Sequence, residues 1–82
     1  MMKISHLAAA YDVKIAPHTA PELSIHVMAS IPNALLIEWS ISRPEDLWRE
    51  DQQVVDGAIS VPNRPGHGME LSEEALRNYV VG

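Results

Sequence analysis

The chain has 82 residues, with six Lys and Arg against eleven Asp and Glu and a formal charge of −5 at pH 7. That is one small domain at most, burying only roughly 60–65% of the surface its unfolded form exposes. The absence of Cys excludes disulfides, thiolate metal ligands and a cysteine nucleophile.

The six cationic side chains are scattered singly from Lys3 to Arg77, so the phosphate-neutralising cluster of a nucleic-acid-binding surface is missing. No apolar run approaches the roughly 18 residues that span a bilayer, and Met1-Met2-Lys3-Ile4-Ser5-His6 has no apolar signal core behind its charge. The expectation is a soluble cytoplasmic protein with neither nucleic acid nor membrane as partner. Hydrophobic residues make up 46% but aromatic ones only 5%, with no Phe. The chain is therefore not disordered, and it should fold fully only when something completes it.

Ile4, Leu7, Ala8 and Tyr11 recur at helical spacing, and Ala8-Ala9-Ala10 favours a helix over 3–10. Val13 to Ala16 reads as a strand of about four residues, stopped at Pro17-His18. Thr19 and Glu22 have capping-box spacing with Pro21 between them, opening a helix over 20–30 that Pro32-Asn33 terminates. Its apolar positions Leu23, Ile25, Val27, Met28, Ala29 and Ile31 wrap more than one face, which predicts burial on two sides. Leu35 to Ile37 is a continuous apolar run closing at Glu38-Trp39, the pattern of a strand covered on both faces.

Ser42, Pro44 and Glu45 resemble a second capping box, opening a short turn through Asp46, Leu47 and Trp48. Val54-Val55 and Ala58 to Val61 flank Asp56-Gly57, a hairpin signal. Residues 63–68 read as a loop, and Ser72 caps a closing helix over 73–80. Helix, strand, helix, strand with short connections is the order of a βα-barrel or a doubly wound sheet. Two parallel strands do not make a stable sheet, and an unpaired apolar edge at Leu35 to Ile37 is an aggregation template. The chain reads as α/β and as a piece of something larger.

In βα units, polar residues at strand carboxyl ends face the active-site side. His18 and Glu38 occupy those places. If their strands are neighbours about 4.8 Å apart, both side chains reach one pocket mouth. There an imidazole can take or return a proton, and a carboxyl group can hydrogen-bond developing charge or orient a polar partner. From spacing alone, a His after a strand is more often a loop or helix-cap hydrogen-bonder than a catalytic group, and Glu38 stands the same way. His6 and His26 lie on helices, where solvent-facing or packing roles are favoured, and His67 sits in a Gly-Pro loop. No metal-ligand spacing is visible. Gly66-His67-Gly68 lacks the third glycine and preceding strand of a dinucleotide loop. The serines have no nucleophile-elbow context, and Met28, Trp39 and Trp48 suit packing.

Several segments together resemble the end of the barrel in the mandelate racemase/muconate lactonizing group of the enolase superfamily. They are Lys3-Ile4 through Leu7-Ala8, Val13 to Pro17-His18, and His26 to Asn33 leading to Glu38. The tail is similar too, in Asp56 to Pro62, in Pro65-Gly66-His67-Gly68-Met69-Glu70-Leu71, and in the closing helix through Leu76 and Tyr79. Leu is more usual in that family at position 67. Ala16-Pro17-His18-Thr19 is most similar to the acid-sugar dehydratases.

The resemblance implies a C-terminal fragment of a (β/α)8 barrel, about two βα units plus a C-terminal hairpin and helix. Residues 1–42 would be the last βα units and residues 43–82 the tail. His18 would be the seventh-strand general base or acid, and Glu38 the eighth-strand group that hydrogen-bonds the substrate carboxylate or enediolate. Parent enzymes abstract the proton α to a carboxylate on a hydroxy-acid or acid-sugar substrate, with Mg²⁺, and then racemise, cycloisomerise or eliminate water. The family's metal carboxylates, its lysine and the Asp that pairs with the histidine are expected on strands preceding this segment. The 82 residues alone are therefore predicted inactive. The alternatives are a small non-catalytic module that self-associates over its sheet edges, and a piece that complements a truncated barrel.

Overall fold

A computed structural model describes residues 1–39 and 46–81, which fall into two units, Met1–Ser40 and Ile41–Gly82. The first unit begins with helix α1 (Met2–Ala10), as the alanine run predicts. Its large apolar side chains nevertheless point outward, with Ile4 69%, Leu7 63% and Tyr11 77% exposed. Ser5 is buried instead, and its hydroxyl donates to the Met1 carbonyl at 3.0 Å. With Ala8 and Ala9 half-buried, α1 turns its small residues inward. The helix ends where Tyr11 and Val13 both donate their amides to the Ala8 carbonyl and Asp12 takes φ +56°.

The two expected strands are reduced to one parallel bridge between Ile15 and Ala34. Ile15 N–H donates to Asn33 O at 2.8 Å and Leu35 N–H to Ile15 O at 2.9 Å. Parallel pairing is weak per residue, and two segments without outer neighbours cannot sustain a longer ladder. Leu35 and Leu36 are correspondingly exposed and not covered on both faces.

Helix α2 (Pro21–Ser30) starts with Ala20 as its N-cap at φ +44°, ψ +52°, without a side-chain cap bond. The Thr19–Glu22 capping box does not form. Thr19 itself has φ +59° and lies one position too early, and its amide goes to Glu38. Pro21, Ser24, Ile25 and Met28 are buried at i, i+3, i+4 and i+7, a single face. Leu23 and Ala29 stay exposed, so the expected two-sided burial is not present within this unit.

In the second unit Trp48 and Leu71 form an antiparallel bridge that the sequence reading did not anticipate. Arg49 N–H donates to Glu70 O at 2.8 Å and Ser72 N–H to Leu47 O at 2.9 Å. The expected hairpin exists as its turn. Val55 and Ala58 exchange amide bonds of 2.9 and 3.0 Å across Asp56 (φ +51°) and Gly57 (φ +75°), the left-handed pair a tight two-residue turn requires. Gly68 is obligatory for a second reason besides its φ of +79°, because a Cβ there would lie 2.6 Å from Pro62 Cβ.

Helix α3 (Glu73–Tyr79) begins as predicted, with the Ser72 side chain accepting from Ala75 N–H at 2.9 Å. The same hydroxyl donates to the Asp46 carbonyl. Glu73 and Glu74 in the first turn and Arg77 in the last complement the helix dipole. The expected Ser42–Glu45 capping box lies outside the described residues. Among the described residues no helix is long and apolar enough to cross a membrane.

Candidate active site

The chain leaves the Ile15 bridge through Ala16 and Pro17 to His18, and leaves the Ala34 bridge through Leu35 to Ile37 to Glu38. Because the two segments run parallel, both side chains emerge at the same end. His18 Nδ1 lies 2.7 Å from Glu38 Oε2, and the same oxygen accepts the Thr19 amide at 3.0 Å. One carboxylate oxygen thus holds both the imidazole and the turn that carries it. A neutral imidazole with Nδ1–H on a carboxylate keeps Nε2 as its acceptor. The atom able to take a proton from a bound molecule is therefore Nε2. The pair is open to solvent, with side chains 81% and 48% exposed.

The other histidines do not join it. His6 is exposed on α1 and His26 half-buried on α2. His67 Nδ1 accepts the Met69 amide at 3.1 Å and so braces its own loop. A cleft in the second unit is lined by Arg49, Glu50, Arg64, Gly68 and Glu70. Arg49 pairs with Glu70 at 2.8 Å and Arg64 pairs with Glu50, so its charge is balanced internally.

Two contributors escaped the sequence reading. The Thr19 amide is a main-chain donor that composition cannot reveal. Asn33, read only as a helix stop, is buried and donates through Nδ2 to Ser5 O at 3.1 Å and Val13 O at 2.9 Å. An Asn between a helix end and a strand was the available signal.

A family model described as "Enolase C-terminal domain-like" matches residues 1–75. The chain belongs to that family. Membership implies a fragment of a (β/α)8 barrel, here carrying three helices and isolated bridges among its described residues. Across 98% of its length the chain is 34% identical to the 3,6-anhydro-alpha-L-galactonate cycloisomerase of Streptomyces coelicolor, covering 22% of that protein. It is 32% identical to the D-xylonate dehydratase of Haloferax volcanii over 96% of this chain and 21% of that one. It is 36% identical to the L-talarate/galactarate dehydratase of Salmonella typhimurium over 93% and 19%. The chain thus spans about a fifth of the length of these curated relatives. No solved structure matches it.

Enolase-superfamily membership also implies a Mg²⁺-dependent parent. The described residues do not fit that ion. No three His, Asp or Glu side chains among them come together, and Glu38, the carboxylate at the site, is engaged by His18 and Thr19. A hard cation prefers six or more oxygen ligands.

Proposed function

We propose that these residues are the C-terminal part of an enzyme that abstracts the proton α to the carboxylate of an acid sugar, with His18 as the proton-transferring group. Residues 1–42 supply the last βα units of the barrel and residues 43–82 its tail, the hairpin and closing helix. The observation that carries the reading is the 2.7 Å His18–Glu38 pair at the common end of two parallel-bridged segments. The dehydratases and the cycloisomerase among the relatives support the substrate class.

In this reading a substrate C–H bond breaks and its proton passes to His18 Nε2, while the bonding electrons remain on the substrate. In place of the substrate hydrogen bond that the resemblance implies, Glu38 holds His18 Nδ1–H and so leaves Nε2 to take the proton. The reverse transfer returns the proton, or delivers it to a leaving hydroxyl that departs as water.

The test joins these 82 residues to the preceding four-fifths of the Streptomyces cycloisomerase and follows solvent deuterium entering the substrate α-carbon by NMR. His18→Asn keeps a polar side chain that cannot take a proton, and exchange should fall about 10²–10⁴-fold. Retained exchange in that variant would remove the reading. A second reading, a self-associating module without catalysis, is favoured by the exposed Ile4, Leu7, Leu35 and Leu36.

A further inference from the structure

We propose that Asn33 is the positioning residue of the His18–Glu38 pair, setting the parallel register that brings the two side chains together. This assignment rests on the reading of that pair given above. Asn33 lies at the opposite end of the bridged segments from the site and touches neither His18 nor Glu38 by any hydrogen bond observed. Its Nδ2 donates to two carbonyls from different parts of the chain, Ser5 on α1 and Val13 at the start of the first segment. Its own carbonyl accepts Ile15 N–H at 2.8 Å. One residue therefore fixes the first segment by side chain and main chain together, two and zero residues from the bridge partner Ile15.

The consequence at the other end is geometric. Each residue of slip moves a strand about 3.3 Å and turns its side chains to the opposite face. A one-residue slip between the segments would carry Glu38 away from His18 Nδ1 and the Thr19 amide, both of which need hydrogen-bond distance. The amide orientation is determined as well. Turned over, Oδ1 would face the Ser5 and Val13 carbonyl oxygens, acceptor against acceptor. As it stands, Oδ1 is buried with no hydrogen-bond partner, so the donors alone hold the side chain.

This makes a demand on chemistry that packing does not. Asp has nearly the volume of Asn, yet as a carboxylate it has no hydrogen to donate and would place charge against two carbonyls. Burying that charge makes Asp the worse substitution at neutral pH in any case, so the separating variant is Asn33→Leu, which keeps volume without donors and should lose the same readouts as Asn33→Ala.

The experiment uses the 82-residue chain. Its readout of the site is the amide proton shift of Thr19, taken as the displacement caused by Glu38→Gln. Hydrogen exchange at the Ile15 and Leu35 amides reports the register. In Asn33→Ala both amides should lose about tenfold or more in protection, and the Thr19 displacement should vanish. Ser24→Ala, at another buried polar position, should leave both readouts in place. A disulfide joining Ile15→Cys and Ala34→Cys holds the register independently, and in that background Asn33→Ala should recover the Thr19 displacement, including where the uncrosslinked variant fails to fold.

The proposal is overturned if Asn33→Ala or Asn33→Leu keeps the displacement, or if the crosslinked variant fails to regain it. Failure of the functional reading is separate. It would show as retained deuterium exchange in His18→Asn while every Asn33 result here stood.

Discussion

Glu38 serves two donors with one oxygen, and the pair it makes with His18 is largely in solvent. A charge-assisted hydrogen bond so exposed contributes about 0–1 kcal/mol to stability. Substitutions there consequently probe chemistry more than folding. Glu38→Gln puts a neutral amide where the carboxylate had held Thr19 N–H and His18 Nδ1 by charge-assisted bonds, weakening both, so in the joined barrel kcat should fall by no more than in His18→Asn. His26→Gln, on α2 away from the pair, should change exchange by no more than a few-fold. If His26→Gln loses exchange and His18→Asn keeps it, the site lies elsewhere.

Tyr79 permits a pH prediction. Its hydroxyl donates to Asp46 Oδ1 at 3.1 Å. That bond, assisted by slight desolvation and by the charges of Asp46 and Glu74, raises the phenol above its ordinary value near 10. The folded value is raised, so the contribution is complete below about pH 10 and is lost as pH climbs through the folded value. In a Tyr11→Phe background, tyrosinate absorbance should show Tyr79 ionising above its ordinary range, and Asp46→Asn should bring it down. No movement on Asp46→Asn would dismiss the bond as its cause.

At the scale of elements, local chemistry explains what was legible. Ala8-Ala9-Ala10, the Ser72 cap and the Asp56-Gly57 turn each carry their reason within a few residues, and all three elements form. Val13 to Ala16 announced one partner of the parallel bridge, but the other, Ala34, falls just before the expected run Leu35 to Ile37, and the extent of pairing depends on neighbours that a short segment cannot announce. The Thr19–Glu22 box failed because its competitor, Glu38, lies nineteen residues from Thr19. The juxtaposition of His18 with Glu38 followed from strand ends on the condition that the strands are neighbours, whereas an Asn between a helix end and a strand hinted at Asn33 without naming the two distant carbonyls it holds.

Two substitutions test the local part. Ala20 sits at φ +44°, where an L-residue is strained by roughly 1–2 kcal/mol. Ala20→Gly should therefore stabilise the chain by up to about 1 kcal/mol after the added unfolded-state entropy. Ser72→Ala removes the cap from Ala75 and the bond to the Asp46 carbonyl, and should cost about 1–2 kcal/mol. Urea titration measures both. Ala20→Gly lowering the midpoint would contradict the strain argument.

On the scale of the whole molecule, Ile4, Leu7 and Tyr11 on α1, with Leu35 and Leu36 beyond the bridge, leave five large apolar side chains in solvent, the kind of surface that drives association. The purified 82 residues should associate, with size-exclusion profiles that depend on concentration. Leu35→Lys with Leu36→Lys should shift them toward the monomer. A sharp monomer peak for the unmodified chain would mean that this surface is tolerated in water.

The hydrogen bonds of Asn33 also have a meaning in time. They close loops of 28 and 20 residues, and the second unit is tied at Asp46 across 26 and 33. The helices have nine, ten and seven residues, too short to persist alone in water. Each loop must be closed at an entropic cost before any helix is rewarded, so the route to this structure has few early footholds. Stopped-flow circular dichroism should find helix content rising together with loop closure and not ahead of it. Within the first unit, Ile15 and Leu35 come to rest side by side only once Asn33 has made both of its long-range bonds.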